Sequence, residues 1–463
     1  MSVSPQSIEG GAPAGPADGA VAVAVAKAAR GAKYALFLLF AINLLNFFDR
    51  QLLGALAEPI RLEFHLNDAA LGLLGSIFTV IYAFVGLPLG TLSDKWYRNR
   101  LIALGTLFWS LLTAATGFAQ NYAQIFIARL GVGVGEATCA PAGQSLIGDL
   151  FPPAQRAKAM GVFMLGLPAG IFLAYISAGA IATKFGWRAA FLFACVPGVI
   201  IAIMALWMRE PARGALDAGR VVTTAGTATK SAFVTVLGLP TMWWIIMSGI
   251  FHNFNMYAIN TFNTAFLQRF HHMSLLNASY VSSIAVGAVG AIGLLVGGWL
   301  ADKMSVKRRN GRLVLSASAM AIAAPCIFLA INQPSGAITA YLILMALGTI
   351  TMYVYYATVY AAIQDVIEPR LRGIAVALYF CFMYILGASG GPWATGRLSD
   401  HFAYKAMTDA GASVMTEAFR ATGLHHAMYI IPILALAAAA VLFAASRTMD
   451  KDVRKQEMSH SAQ

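Results

Sequence analysis

Twelve apolar stretches run along this chain, separated by short polar breaks. The first six lie near residues 34–57, 70–92, 101–119, 123–148, 158–183 and 187–208. The second six lie near 241–268, 277–301, 313–331, 337–364, 371–396 and 425–446. Each is about as long as the ~20 residues that cross a hydrocarbon core as a helix. The pattern predicts an all-α membrane protein of twelve transmembrane helices, with both termini on one side. Two stretches carry charge in their middles: Asn46-Phe47-Phe48-Asp49-Arg50 in the first, and the segment from Arg129 to Glu136 in the fourth. A charged side chain at that depth costs about 2.5–3.5 kcal/mol on insertion scales, and it persists where it has a partner or a water-filled cavity. Arg129 and Glu136 are two helical turns apart and share one face, whereas the neighbours Asp49 and Arg50 diverge by about 100°.

Composition agrees with the pattern. Of 463 residues, 59% are hydrophobic and 11% charged, against about 25% charged in soluble domains. The net charge of +12 does not mark a nucleic-acid binder, because the basic residues sit in short loops between apolar segments and form no single face. Segments on the predicted inner side hold 23 of the 32 Lys and Arg, those on the outer side hold 7, and the remaining two are Arg50 and Arg129. That asymmetry orients both termini toward the cytosol. Cys139, Cys195, Cys326 and Cys381 fall inside apolar segments at no metal-ligand spacing and read as small core residues. Residues 1–32, rich in Ala, Gly and Pro, are expected to be a disordered cytosolic tail and no signal peptide. Residues 209–240 form a cytosolic connector and 447–463 a second cytosolic tail.

The chain also repeats. Gly90-Thr91-Leu92-Ser93-Asp94-Lys95 recurs as Gly298-Trp299-Leu300-Ala301-Asp302-Lys303, both followed by basic runs. Asp149 with Arg156 after the fourth stretch recurs as Asp365 with Arg372 after the tenth. The spacing divides the protein into two parallel six-helix halves, 33–208 and 241–446. Such halves, with substrate handled between them at mid-membrane, are the plan of many secondary transporters.

The run Gly90-x-x-x-Asp94-Lys95-x-x-Arg98-x-Arg100 resembles the loop signature of the major facilitator superfamily, with Tyr97 where a glycine is usual. The resemblance implies a gating role for Gly90, Asp94, Lys95, Arg98, Asp302 and Lys303, latching the two halves on the cytosolic side in one state and releasing them in the other. The alternative is a plain basic loop obeying topology. The motif Asn46–Arg50, Gly72-Leu73-Leu74-Gly75-Ser76, Arg129-x-x-x-Gly133-x-Gly135-Glu136 and Gly166-x-Pro168-x-Gly170 resemble the Spinster family, densely over residues 43–190. That resemblance implies export of lysolipids such as lysophospholipids or sphingosine phosphate, coupled to protons in some members.

The residues themselves point the same way. Desolvation disfavours a charged Glu136 and a neighbouring arginine favours it. Asp49 and Glu136 are therefore the expected proton-coupling sites, with Arg50 and Arg129 as counter-charges free to take an anionic headgroup when a carboxylate is protonated. The alternative is a permanently paired ion cluster that fixes helix packing. Asn46, Phe47 and Tyr82 complete this half. From the other half, Asn253, Tyr257, Asn260, Tyr353, Tyr356, Tyr360 and Tyr379 are expected to give an uncharged aromatic wall. Their alternative reading is interhelical glue. His252 is expected to be hydrogen-bonded rather than reactive. Glycines and prolines at 161–170 and 387–396 suit either flexing or close packing.

The expectation is an alternating-access transporter of an amphiphilic anion or lipid. It works as a monomer in the plasma membrane (the inner membrane in a bacterium), with protons and the bilayer as partners and no cofactor or nucleic acid. A small organic-anion or drug exporter, and a transporter-shaped sensor without flux, are the alternatives. No nucleophile–base pair or metal spacing supports an enzyme.

Overall fold

The structure is a computed structural model and describes residues 16–213, 230–368 and 371–461. The N-terminal bundle holds span 1 (Pro16–Ala55), span 2 (Asp68–Lys95), span 3 (Arg98–Gly117) and span 6 (Trp187–Leu206). Span 4 is Tyr122–Glu136 followed by Cys139–Leu150, and span 5 is Pro153–Met164 followed by Gly166–Phe185. The C-terminal bundle holds span 7 (Pro240–Arg269), span 8 (Leu275–Lys307), span 9 (Gly311–Ile331), span 10 (Ile338–Val366) and span 11 (Arg372–Asp409). Span 12 is Ile430–Ser461, preceded by the helix Glu417–Met428.

Eleven of the described helices are apolar enough over 18 residues to cross a membrane. Span 7 is the exception in composition but not in length: its 30 residues reach about 45 Å at 1.5 Å per residue. It tolerates His252, Asn253, Asn255, Asn260 and Asn263 because all five are buried inside the protein, where polar side chains face neighbours instead of lipid.

Two expectations about the ends need correction. Residues 16–32, expected as a disordered tail, continue the helix of span 1, and most of 447–463 continues that of span 12. Alanine-rich sequence before span 1 and i,i+4 charge spacing after span 12 favour helix over coil. The connector carries a short helix, Lys230–Leu237, and its residues 214–229 lie outside the described residues. So do residues 1–15.

Both ends of the chain share one face, here the terminal face. On the opposite face the two bundles meet closely, and glycines make this possible. A Cβ on Gly54 would run into the Asn260 carbonyl of span 7, one on Gly72 into the Pro392 carbonyl of span 11, and one on Gly396 into the Asp68 carbonyl. Ser76 donates to the Ser389 carbonyl across the same seam. Toward the terminal face the packing loosens, and a Cβ on Gly86, Gly90, Gly161 or Gly298 would meet nothing within 4 Å. The hollow between the bundles therefore opens on the terminal side.

Spans 8 and 11 each contain a π-helical segment, Ser283–Ala288 and Met383–Ala388. Such turns recur at functional sites. Both lie at seams: Gly287 packs on the Phe172 backbone of span 5, and the second segment ends just before Ser389. Because the obstacle at Gly72 is backbone, Gly72→Ala is expected to disfavour the sealed arrangement by about 1–3 kcal/mol. A cysteine placed at Ser76, in a protein lacking its native cysteines, should then react faster with an impermeant maleimide from the sealed side. An unchanged labelling rate would contradict this.

Candidate functional site: a buried arginine–glutamate pair at the head of the hollow

Span 4 stops being helical directly after Glu136 and resumes at Cys139. The glycines before the break let it press inward. A Cβ on Gly133 would come within 2.9 Å of the Phe78 carbonyl, and one on Gly135 within 2.8 Å of Trp109. This packing leaves Glu136 fully buried, with Arg50 nearly so. Glu136 Oε2 accepts from Arg50 Nε at 2.8 Å and from Asn46 Nδ2 at 3.0 Å. The guanidinium is boxed by the rings of Tyr82 (4.3 Å), Phe47 (5.0 Å) and Phe78 (5.1 Å), contacts that favour a desolvated cation. Its Nη1 reaches Tyr257 of the C-terminal bundle at 3.4 Å, so one side chain touches both halves.

The other two charges, Arg129 and Asp49, lie close enough to this pair to interact with it electrostatically, but without a direct ion pair. Arg129 donates only to the Asp49 main-chain carbonyl, at 3.4 Å, and lies over Phe78 at 4.9 Å; its Nε has no protein partner. The Asp49 side chain is buried beside Trp109 and Thr113 of span 3, with Oδ1 unpartnered. Its carboxylate forms no ion pair within 4 Å among the described residues, so Asp49 backs the site and does not face the hollow. A cavity of about 20 Å³ lies between Arg50, Arg129, Asn260 and Thr261, enough for a water. Asn260 lines it with an unpaired Oδ1.

From the C-terminal bundle, Tyr257, Tyr356 and Tyr360 are half-buried and face the hollow. Asn253 is held by the Gly249 carbonyl and accepts from Tyr356 at 3.3 Å. Tyr353 and Tyr379 are fully buried and stand behind this wall. Tyr353 fills the space left by Gly290 and Gly293 of span 8, and Tyr379 lies on Gly249 and bonds Tyr355 at 3.1 Å. Tyr355 in turn bonds Ser248 at 2.8 Å. His252 makes no hydrogen bond; it stacks on Tyr355 at 3.9 Å, correcting the expectation of a bonded imidazole. Tyr384, in the π-helical turn of span 11, meets Tyr82 across the seam at 5.3 Å.

The gating candidates divide. Arg98 is fully buried and belongs wholly to the N-terminal side, bonding Asp149, Ser145, Glu210 and the Pro211 carbonyl. Arg312 repeats the arrangement in the other half with Asp365 and, at 3.8 Å, Asp302. Asp94 and Lys95 are exposed, and Lys303 lies over Trp299 at 5.1 Å. Gly90 faces open space. Among the described residues none of the six candidates makes an ion pair to the other bundle.

The tie that is engaged lies on the opposite face, and sequence reasoning missed it. Arg269, at the end of span 7, grips Asp68 of span 2 through both Nη atoms (2.8 and 2.9 Å) and Glu58 through Nε (2.7 Å). Arg61 bonds Glu58 at 2.6 Å and crosses to Glu417 at 2.7 Å. Ser399 donates to Asp68 at 2.6 Å, and Asp400 accepts from the Asp68 and Ala69 amides, capping span 2 from the other bundle. A signal existed: Arg269 and Arg61 are among only seven basic residues on that side.

Residues 39–392 match the Major Facilitator Superfamily. The chain belongs to it. This major facilitator is 28% identical to an MFS-type efflux pump of Mycolicibacterium smegmatis over 81% of its own length and 86% of the pump's. It is 26% identical to protein spinster homolog 1 of Homo sapiens, over 78% of this chain and 71% of that one. Among solved structures it matches a bacterial homolog of the human lysosomal transporter Spinster in an inward-facing, unoccupied conformation. That match has a TM-score of 0.81 and 28% identity, covering 91% of this chain and 98% of that one. The occupied form of that homolog gives 0.79 and 27% identity. The protein is a multi-pass, Spinster-like membrane transporter, and its relatives are transport proteins, not enzymes.

Proposed function

We propose that this transporter couples a proton to the movement of an amphiphilic anion by alternating access, with the terminal face in the cytosol of a plasma or bacterial inner membrane. The halves 33–208 and 241–446 are the rocking bodies. The observation that carries the reading is the Arg50–Glu136 pair, buried at the head of a hollow walled by tyrosines and touched from the opposite bundle by Tyr257. An isolated structural ion pair has no need of a contact to the moving half.

In the proposed cycle Glu136 takes a proton and loses its hold on Arg50. Arg50, with Arg129 and its spare donors, then receives the anionic head, and Asn46, Asn253, Tyr257 and Asn260 hydrogen-bond around it. Phe47, Tyr82, Tyr356 and Tyr360 line the path of an apolar tail, while Tyr353 and Tyr379 brace that wall. Asp49 is a second protonation site behind the first. The cargo class that fits an anionic head and apolar tail is the lysolipid type, which the Spinster resemblance also implies.

The test is direct binding of a lipid panel to purified protein. Arg129→Ala is expected to weaken binding of anionic-headed lysolipids about 10- to 100-fold, in line with about 1.5–3 kcal/mol for a charge-assisted hydrogen bond. Unchanged affinity would remove Arg129 from the site. The relative named an efflux pump supports export, and with it a second reading, a proton-coupled exporter of small organic anions or drugs. Transport that does not depend on acyl chain length in a liposome series would select it.

A further inference from the structure

Outside the hollow, on the membrane-facing side of the N-terminal bundle, lies a second concavity of about 450 Å³ between spans 2, 3 and 4. Its walls are Leu89 of span 2, Trp96 directly after that span, and Leu104, Phe108 and Leu111 of span 3, and its floor is Val134 and Gly135 of span 4 with Thr138. Leu104, Phe108 and Leu111 are each about half exposed, at 51%, 48% and 53%. The groove exists because spans 3 and 4 cross in contact: a Cβ on Gly105 would strike Thr138 Oγ1, and only small groups fit beneath the larger wall residues.

Its length and rim identify the occupant. From Leu101 to Leu111 span 3 rises about 15 Å at 1.5 Å per residue, about the depth of one leaflet of a ~30 Å hydrocarbon core. The groove therefore starts at the terminal-face interface and ends near mid-membrane, as an acyl chain does. At the interfacial end stands Trp96, an aromatic residue of the kind enriched at headgroup level, and beside it in the chain are Lys95, Tyr97 and, at the start of span 3, Arg100. Both cations are exposed, and neither has a carboxylate within 4 Å among the described residues. Arg100 lies over the Tyr97 ring at 4.6 Å. Arg98, between them, is already held by Asp149 and Glu210. Asp94 is next to Lys95 in the chain, and one carboxylate against two cations leaves the local charge positive. Basic residues at the interface attract anionic headgroups.

We infer that this groove is a binding site for a resident anionic glycerophospholipid, its headgroup on Lys95 and Arg100 and one acyl chain along span 3. The site is separate from the central hollow and does not rest on the cargo or coupling proposed above. Its floor is continuous with Glu136, so the lipid lies against the outer side of the turn that carries the buried carboxylate.

Trp96 in the wall supplies a probe. The full-length protein is reconstituted in phosphatidylcholine vesicles containing rising fractions of brominated-chain phosphatidylglycerol or brominated-chain phosphatidylcholine. The Trp96 signal is the fluorescence difference between the native protein and Trp96→Phe. Brominated phosphatidylglycerol is expected to quench it at a mole fraction at least threefold lower than brominated phosphatidylcholine. In Arg100→Gln combined with Lys95→Gln that preference should disappear while quenching itself persists. Equal quenching by both lipids in the native protein means ordinary boundary lipid and overturns the site. Relief of quenching by an unbrominated lysolipid assigns the groove to cargo and overturns it equally.

Discussion

Replacing Arg269 by alanine is expected to open the sealed face. Arg269 is buried and serves Asp68 and Glu58 together. Removing one partner of a buried ionic group costs about 3–5 kcal/mol, because the remaining charges are left without compensation. In an arrangement open on that face, water reaches Asp68 and Glu58, so the penalty falls mainly on the sealed state. About 3 kcal/mol corresponds to a shift of roughly a hundredfold between the two arrangements. Spin labels at Leu62 and Ala410, one on each bundle at that face, should show a longer distance population in Arg269→Ala that is minor in the native protein. If the short distance still dominates, the Arg269 fork is not what holds the bundles together. Arg61→Ala should do less, because its bond to Glu58 stays within the first bundle and its partner across the seam, Glu417, is 60% exposed at the side chain, where ion pairs contribute about 0–1 kcal/mol.

The second large effect is expected from Glu136→Gln. Glutamine keeps an oxygen for Arg50 and Asn46 and nearly the same volume, but it has no charge to neutralise and no proton to carry. On the proposed cycle it resembles the protonated state permanently. Accumulation driven by a pH gradient in liposomes should fall at least tenfold, while exchange of labelled for unlabelled cargo without a gradient continues. Retained gradient dependence would remove Glu136 as the carrier. Loss of both activities, with intact folding by thermal melting, would instead mark Glu136 as a fixed counter-charge for Arg50.

The topology was open to reading because a membrane gives each helix the same problem. Apolar length and the placement of lysines and arginines together define the twelve spans, and span 7 was recognisable despite its asparagines because its ends were clear. Glu136 and Arg50 were likewise exposed by their cost at depth. What local sequence could not supply was partnership. Asp49 and Arg129 both belong to the charged centre, yet their side chains form no ion pair within 4 Å, because where a buried side chain settles depends on span 3 as much as on span 1. Tyr353 follows helical spacing with Tyr356 and Tyr360, and Tyr379 joins them from span 11, but glycines on spans 7 and 8 draw the rings of Tyr353 and Tyr379 behind the wall. The Arg269 tie joins residues some two hundred positions apart, and outer-loop charges give no periodic signal. The gating motif was legible as a motif, whereas its state depends on which end of the molecule is shut.

Arg98 anchors more than the loop it starts. It grips Glu210 and the Pro211 carbonyl, while Arg213 donates to the carbonyls of Ser93 and Trp96. The root of the connector is therefore stapled to the first bundle and travels with it as a handle. A protein cut within 214–229 should consequently keep each fragment's fold and stay assembled through the buried fork on the far side, so that cutting the tether would leave the hinge intact.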